Sequence, residues 1–206
     1  MGVVHGEQVR AMEEHGATVG RSLEWWGMVF FIASEALIFA NLIAAYLYLD
    51  IRSGGFKLPD GGNLSILLPA VNTVLLLASS IPAVLARQGI TKGNQKQLAW
   101  GLLGTIILGI IFLSGQVYEY GSLYSEGFNV GFKTFGSAFF TLTGFHGLHV
   151  TIGVIFLIIC LVRTLRGDFT AKKHFAVEAA ELYWHFVDGV WIIVFSTVYL
   201  LPLLRA

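Results

Sequence analysis

Five long apolar stretches constrain the fold of this chain more than any other feature of its sequence. They lie near residues 25–49, 66–85, 98–117, 135–162 and 179–203. Each is about as long as the roughly 20 apolar residues that an α-helix needs to cross a bilayer. None shows the alternation of a membrane β-barrel strand. We therefore predict a single all-α domain, an integral membrane bundle of five transmembrane helices, behind a polar leader over residues 1–23.

The composition agrees with a membrane protein. Only 13% of the 206 residues are charged, against about 25% in a soluble domain. Thirteen basic and thirteen acidic residues cancel, so no net field favours nucleic acid, and we expect no nucleic-acid partner. Cys160 is the only cysteine; a disulfide within the chain is excluded, and we expect a small buried apolar side chain there.

The distribution of basic residues predicts how the bundle is oriented. Five crossings place the termini on opposite sides of the membrane. The amino-terminal side has nine basic residues, Arg10, Arg21, Arg87, Lys92, Lys96, Arg163, Arg166, Lys172 and Lys173, and the other side has four, Arg52, Lys57, Lys133 and Arg205. Because basic loops stay in the cytoplasm, we predict a cytoplasmic amino terminus and an outside carboxyl terminus.

Ionisable side chains interrupt three of the predicted spans. They are Glu35 in the first span, His146 and His149 in the fourth, and Glu178, Glu181, His185 and Asp188 in the fifth. The last four are spaced by three, four and three residues, which puts them on one face of a helix. A charge at mid-bilayer costs about 2.5–3.5 kcal/mol on insertion scales. These side chains are therefore expected to face neighbouring helices and form an intramembrane polar network.

Three interpretations of this network compete. His146-x-x-His149 and Glu181-x-x-x-His185 have spacings compatible with a metal or redox site, but the paired Glu-x-x-His motifs of a di-iron bundle are missing. Buried acids and histidines are typical of a proton path, although the internal repeats of transporters are also missing. The third interpretation is structural: the polar groups cross-link helices through hydrogen bonds of about 0.6 kcal/mol each.

Small and aromatic residues predict how the helices pack. Gly101, Gly104, Gly109, Gly144 and Gly147 are placed where helices could approach closely. Aromatic side chains near the span ends are expected to anchor the bundle at the two interfaces. They are Trp25, Trp26, Tyr46, Tyr48, Trp100, Tyr118, Tyr120, Tyr183 and Trp184.

Four motifs carry a family resemblance. They are "WWGMVFFIASEALIF", "NTVLLLASS", "GFHGLHVTIGVIFLI" and "HFAVEAAELYWHFVDGVWIIVF". In order and spacing they resemble subunit III of the haem–copper respiratory oxidases, over roughly Trp25 to Tyr199. The resemblance implies a non-catalytic subunit without haem, copper or another metal of its own. It implies packing against oxidase subunit I, which holds the haems and copper, and contact with subunit II and small subunits. It also implies bound phospholipid and support for proton uptake and durability.

The resemblance assigns roles to individual residues. Glu35 matches the buried carboxyl of the first shared helix, and Arg163 matches a basic residue that holds a lipid phosphate; both are lipid-binding candidates. The alternative for Arg163 is an ordinary positive-inside residue. The family's intramembrane polar set is matched by His146, His149, Glu178, His185 and Asp188. We expect that set to tie the fourth span to the fifth, through a pairing of His146 or His149 with a carboxylate of the fifth.

The resemblance leaves several functions open. Seven-helix members have two further helices ahead of the matching carboxyl, and the five-helix form implies a bacterial plasma membrane. In the five-helix form the lipid cleft would lack one wall.

We expect cytochrome c as the electron donor, with a quinol as the alternative. A subunit-III-like accessory protein of nitric oxide reductase and a stand-alone proton conductor are the other candidates.

Overall fold

The computed structural model describes residues 22–56 and 66–205, and this part of the chain is helical, without a β-strand. It contains five helices long and apolar enough to cross a membrane, as predicted. They are α1 (Leu23–Arg52), α2 (Leu67–Thr91), α3 (Gln95–Ser125), α4 (Lys133–Leu165) and α5 (Phe175–Phe195). A π-helical turn (Ser196–Leu200) extends α5 into the short α6 (Leu201–Arg205). The leader predicted over residues 1–23 lies outside the described residues up to position 21.

Local sequence signals determine where several helices begin and end. The Ser22 hydroxyl accepts a hydrogen bond from the backbone N–H of Trp25 and caps α1. The Asn94 side chain accepts from the N–H of Gln97 and caps α3 in the same way. Gly93 follows α2 with a φ of 71°, a left-handed conformation that glycine adopts without strain. The chain can therefore reverse between α2 and α3 within a few residues.

The helices form a bundle in which α5 is central. It packs against α4 on one side and against α2 on the other, while α3 lies between α2 and α4. α1 packs at the edge, on α4 and α5. Only 6% of the most apolar window of α1 is buried, against 44% for the span that starts with α5. The apolar outer face of α1 is what a helix at the edge of a membrane bundle presents to its surroundings.

Glycines on α3 allow neighbouring helices to approach closely. A Cβ atom built on Gly101 would lie 2.6 Å from the carbonyl oxygen of Pro82 on α2. One built on Gly109 would lie 2.7 Å from the ring of Trp184 on α5. Both distances are too short for a real side chain, so the absence of a Cβ is what permits these contacts. The prediction of close packing at these two positions is confirmed.

Aromatic residues divide into a lipid-facing set and a buried set. Trp26, Trp100 and Tyr118 are exposed, in agreement with interfacial anchoring. Tyr46, Tyr183 and Trp184 are buried, so the prediction that they are anchors was wrong. Tyr183 and Trp184 lie on the inward faces of α5, which its central position surrounds with other helices. Cys160 is buried as a free thiol, as expected.

Candidate functional site

A histidine–carboxylate contact joins α1 to α4. Oε2 of Glu35 lies 2.9 Å from Nε2 of His149. Nδ1 of the same ring lies 2.8 Å from the carbonyl oxygen of Phe145, and since a carbonyl can only accept, Nδ1 carries a hydrogen and donates it. The ring of Phe39 packs edge-on against His149, with centroids 4.9 Å apart. The partner of Glu35 thus comes from a neighbouring helix.

The hydrogen on Nδ1 limits the charge states of this pair. If Nε2 is also protonated, it donates to a carboxylate; if it is not, it accepts from a protonated Glu35. Either arrangement has no net charge. A bare lone pair of Nε2 facing a carboxylate oxygen at 2.9 Å would be repulsive. The pair therefore places two ionisable groups within the spans at zero net charge, which costs less than burying one unpaired charge.

A second polar cluster joins α5 to α2. Nε of Arg87, near the end of α2, lies 2.7 Å from Oε2 of Glu181. One turn further along α5, Nδ1 of His185 lies 3.1 Å from the hydroxyl oxygen of Ser80. The Ser80 hydroxyl also donates a short hydrogen bond to Oδ2 of Asp188. The face of α5 predicted to be polar is thus in contact with polar groups of α2 over about two turns.

Two tryptophan–hydroxyl bonds continue the same interface. The indole N–H of Trp184 donates to the Ser79 hydroxyl at 2.8 Å. The indole N–H of Trp191 donates to the Thr73 hydroxyl, also at 2.8 Å. Buried indoles normally need such a partner. Together with the carboxylate contacts, these bonds fix the register between α2 and α5.

The pairing predicted between the fourth and fifth spans was wrong. Glu181 and Asp188 of α5 contact α2, and the His149 ring contacts Glu35 of α1 instead of an α5 carboxylate. The reason is the central position of α5, because its polar stripe points to α2 while other residues face α4. The contacts that join α4 to α5 include a hydrogen bond from the Tyr183 hydroxyl to the carbonyl oxygen of His149, at 3.3 Å, and one from the Cys160 thiol to the carbonyl oxygen of Ala176, at 3.6 Å.

His146 is surrounded by aromatic rings. Its side chain is completely buried, and its ring centroid lies 4.7 Å from that of Trp191 and 5.9 Å from that of Phe112. Neither ring nitrogen has a hydrogen-bond partner within residues 22–56 and 66–205. His146 therefore belongs to the aromatic core and makes no contact with an α5 carboxylate there, contrary to the prediction.

A third polar cluster lies toward the opposite end of the bundle. The Tyr199 hydroxyl donates to Oε1 of Glu119 at 2.8 Å. Beside it, the Gln116 amide donates to the carbonyl oxygen of Thr143 at 2.9 Å, and the Tyr120 hydroxyl lies 2.7 Å from the Thr143 hydroxyl. These contacts connect α3 to α4 and to the π-helical turn after α5.

The remaining predicted site residues lie at the amino-terminal side of the bundle. Nε of Arg163 is 3.2 Å from Oδ2 of Asp168, and its guanidinium stands 4.9 Å over the Phe169 ring. Nε2 of His174 lies 3.3 Å from Glu178, one turn along α5.

A cavity of about 750 Å³ opens between α1, α2 and α5. Its lining residues include Arg87, Glu178, Glu181 and His185.

In the described part of the chain, no three His, Cys, Asp or Glu side chains come together in a way that could hold a metal ion.

Sequence reasoning missed the α2 side of the interface. Ser80 and Thr73 lie seven residues apart within an apolar span, on the same helical face. Hydroxyls at that spacing indicate a helix contact, and this signal could have predicted the partner of α5. In the sequence, Arg87 is informative only as one of the nine basic residues on the amino-terminal side.

Comparison with known proteins identifies the family. A family model described as cytochrome c oxidase subunit III matches residues 6–202. Cytochrome c oxidase subunit 3 of Drosophila melanogaster is 37% identical over 196 residues, which cover 92% of this chain and 72% of the relative. The subunit 3 proteins of Locusta migratoria and Coturnix japonica are 40% and 41% identical over 191 residues, covering 90% of this chain and 71% and 72% of the relatives. The chain therefore belongs to the cytochrome c oxidase subunit III family and is a multi-pass membrane subunit of a respiratory oxidase.

Proposed function

We propose that this chain is the non-redox subunit III of a proton-pumping terminal oxidase. It packs on subunit I, contacts subunit II and small subunits, and contributes no catalytic residue. Haem and copper are proposed to lie in the partner subunits, where oxygen is reduced to water. The role of this chain is then to support proton uptake and to keep the complex active over many turnovers.

The observation that best supports this proposal is that ionisable side chains within the spans contact one another. Glu35 lies against His149, and Glu181 lies against Arg87, at 2.9 and 2.7 Å. Asp188 accepts from Ser80. Groups committed to one another in this way hold helices together and are poorly placed to turn over a substrate. A scaffold subunit needs such contacts, because lipid provides little hydrophobic drive for helix association.

Phospholipid binding at Arg163 is part of the proposal. The Arg163 side chain is 46% exposed, and its contact with Asp168 uses Nε. The terminal guanidinium nitrogens are a suitable fork for a lipid phosphate. Glu35, whose side chain is 18% exposed beside His149, is the second lipid-binding candidate. Loss of co-purifying phospholipid from an Arg163→Gln variant, but not from an Arg166→Gln control, would support the assignment to Arg163; equal lipid content in both would oppose it.

We further propose a cytoplasmic amino terminus and a location in a bacterial plasma membrane. The orientation is inferred from the nine-to-four distribution of basic residues, and the location is carried over from the resemblance described above as part of the proposal. Labelling of single cysteines placed at Lys92 and Gly127, on opposite sides of the predicted membrane, tests the orientation. An impermeant reagent applied to intact cells should reach position 127 only. Labelling of position 92 alone would show that the chain has the opposite orientation.

Cytochrome c is the proposed electron donor, because the relatives reported above are named for oxidation of cytochrome c. The test is oxygen uptake by the purified complex with reduced cytochrome c and, separately, with a quinol. Faster uptake with cytochrome c supports the proposal, whereas uptake with quinol alone would assign the chain to a quinol oxidase. A haem-containing partner that reduces nitric oxide but not oxygen would contradict the oxidase assignment.

A further inference from the structure

A line of polar groups runs from the cavity between α1, α2 and α5 into the membrane interior. It starts at Arg87, whose side chain is 47% exposed, and passes through Glu181 to His185. From His185 it continues through the Ser80 hydroxyl to Asp188, which is 4% exposed. The line thus connects an open cavity with a buried carboxyl group about one helical turn deeper than His185.

The hydrogen bonds of Ser80 determine where the protons sit. A hydroxyl has one hydrogen, and Ser80 donates it to Oδ2 of Asp188. The 3.1 Å contact with His185 must then run from Nδ1–H to the Ser80 oxygen. In this arrangement Asp188 is a carboxylate, and Nε2 of His185 faces Oε1 of Glu181 at 3.7 Å.

These positions allow a proton to move from the cavity to Asp188 without movement of a side chain. A proton taken up at Nε2 makes His185 an imidazolium. The Nδ1–H bond then breaks as a new O–H bond forms on Ser80, while the original Ser80 proton bonds to Oδ2 of Asp188. The products are a neutral imidazole with its hydrogen on Nε2, an unchanged serine and a neutral carboxylic acid. Only a proton has been transferred, and the net charge gained is that of the proton taken up.

The inner end of the line is closed. Oδ1 of Asp188 is buried without a hydrogen-bond partner in the described part of the chain. The neighbouring polar contacts of the α2–α5 interface are the indole N–H groups of Trp184 and Trp191 on Ser79 and Thr73. An indole N–H only donates, so it cannot accept a proton from Asp188 and pass it on. Within the described residues the line therefore ends at Asp188.

The surrounding charges favour uptake of a proton. On α2 the charged group that faces the line is Arg87, and it is already balanced by Glu181 at 2.7 Å. On α5, Glu178 also lines the cavity. The cavity residues from the α1 side are Ser22, Trp25 and Met28, which carry no charge. Glu178 lies beside His174. Asp188 has no arginine or lysine partner among the described residues, and a proton neutralises its carboxylate.

We propose that Glu181, His185, Ser80 and Asp188 form a proton-binding site that is loaded from the cavity on the amino-terminal side and holds one exchangeable proton at Asp188. The site is a closed store, not a channel. It goes beyond the scaffold role proposed above and does not require that role.

Infrared difference spectroscopy of the purified complex tests the site directly. A carbonyl band of protonated Asp188 should appear as the pH is lowered, shift in D₂O, and be lost in Asp188→Asn. Ser80→Ala keeps both titratable groups but removes the connection, so the fast phase of deuterium exchange at this band should be lost. Ser79→Ala, which removes the adjacent hydroxyl outside the line, should leave exchange fast.

Two results would overturn the proposal. One is a band from Asp188 that does not respond to pH or D₂O; the other is equally fast exchange in Ser80→Ala and Ser79→Ala. If Asp188→Asn does not assemble, ¹³C labelling of aspartate carboxyls in the unmutated protein shows that the band comes from an aspartate, and its loss of fast exchange in Ser80→Ala assigns it to this site. Because the readout is at Asp188, failure of this site is distinguishable from failure of the oxidase assignment, which oxygen uptake reports.

Discussion

Nε2 of His149 lies 2.9 Å from Oε2 of Glu35, and this contact joins two helices whose contacting residues are 114 positions apart in sequence. It is a principal polar contact between the bundle and α1, which is the least buried of the five spans. Since Nδ1 of the same ring donates to a carbonyl, the ring orientation is fixed independently of Glu35. Removal of the carboxyl group therefore leaves a fixed, unsatisfied Nε2.

Glu35→Leu should weaken the attachment of α1 without preventing assembly of the bundle. Stranding a buried polar atom costs about 1–3 kcal/mol, so the thermal midpoint of the purified complex should fall. Glu35→Gln retains a group that can hydrogen-bond to Nε2, so its thermal midpoint should fall less. An unchanged midpoint in the leucine variant would show that the contact contributes nothing, and failure of both variants to insert would show that it is needed for folding.

The ion pair between Arg87 and Glu181 should show strong coupling in a double-mutant cycle. The Glu181 side chain is only 11% exposed, so Arg87→Met leaves a poorly solvated carboxylate, and Arg87→Met/Glu181→Gln should be more stable than Arg87→Met alone. A coupling of about 0.5–3 kcal/mol is expected for groups in contact. Arg166→Met, an exposed arginine without an ion pair among the described residues, is the matched control. If the effects of Arg87→Met and Glu181→Gln on stability simply add in the double variant, the ion pair between the two side chains is contradicted.

Much of this architecture could be predicted from the sequence, because lipid makes apolar length informative. The five spans, the polar stripe from Glu178 to Asp188 and the close packing at Gly101 and Gly109 follow from periodicity and residue size. The choice of partner helix does not. Whether the stripe on α5 faces α2 or α4 depends on which helix lies on which side of α5, and loop lengths do not determine this.

Aromatic residues illustrate the same limit. Trp184 and Trp100 are both found near predicted span ends, yet one is completely buried and the other is 73% exposed. Hydropathy assigns both to an interface, whereas only the position of α5 in the bundle separates them. His146 was likewise predicted to bond because it is ionisable, although it packs among rings.

Gly101→Ala should destabilise the contact between α2 and α3. The added methyl group would lie 2.6 Å from a backbone carbonyl oxygen of Pro82, and backbone atoms can only give way if the helices separate. Overpacking of this kind costs about 1–3 kcal/mol. Gly121→Ala on the same helix is the control, since nothing lies within 4 Å of its added atom. Equal thermal midpoints for the two variants would contradict the packing described here.

Trp184→Phe should destabilise the core more than Trp100→Phe. The first change leaves a void beside Gly109 and removes the donor to Ser79, whereas the second affects an exposed ring. Truncation of a large core side chain to alanine costs about 2–5 kcal/mol of stability. Replacement of Trp184 by phenylalanine removes fewer atoms and should cost less. Chemical denaturation of the solubilised complex, followed by tryptophan fluorescence, measures both. A larger loss for Trp100→Phe would reverse the assignment of core and surface.

Oxygen uptake by the complex with and without this chain tests the central claim most directly. If the chain is a non-redox scaffold, its removal should leave haem, copper and the initial rate of oxygen uptake with reduced cytochrome c largely intact. Activity should then decline faster during continued turnover than it does in the complete complex. Loss of haem or copper along with the chain, or an initial rate of zero once it is removed, would contradict the account.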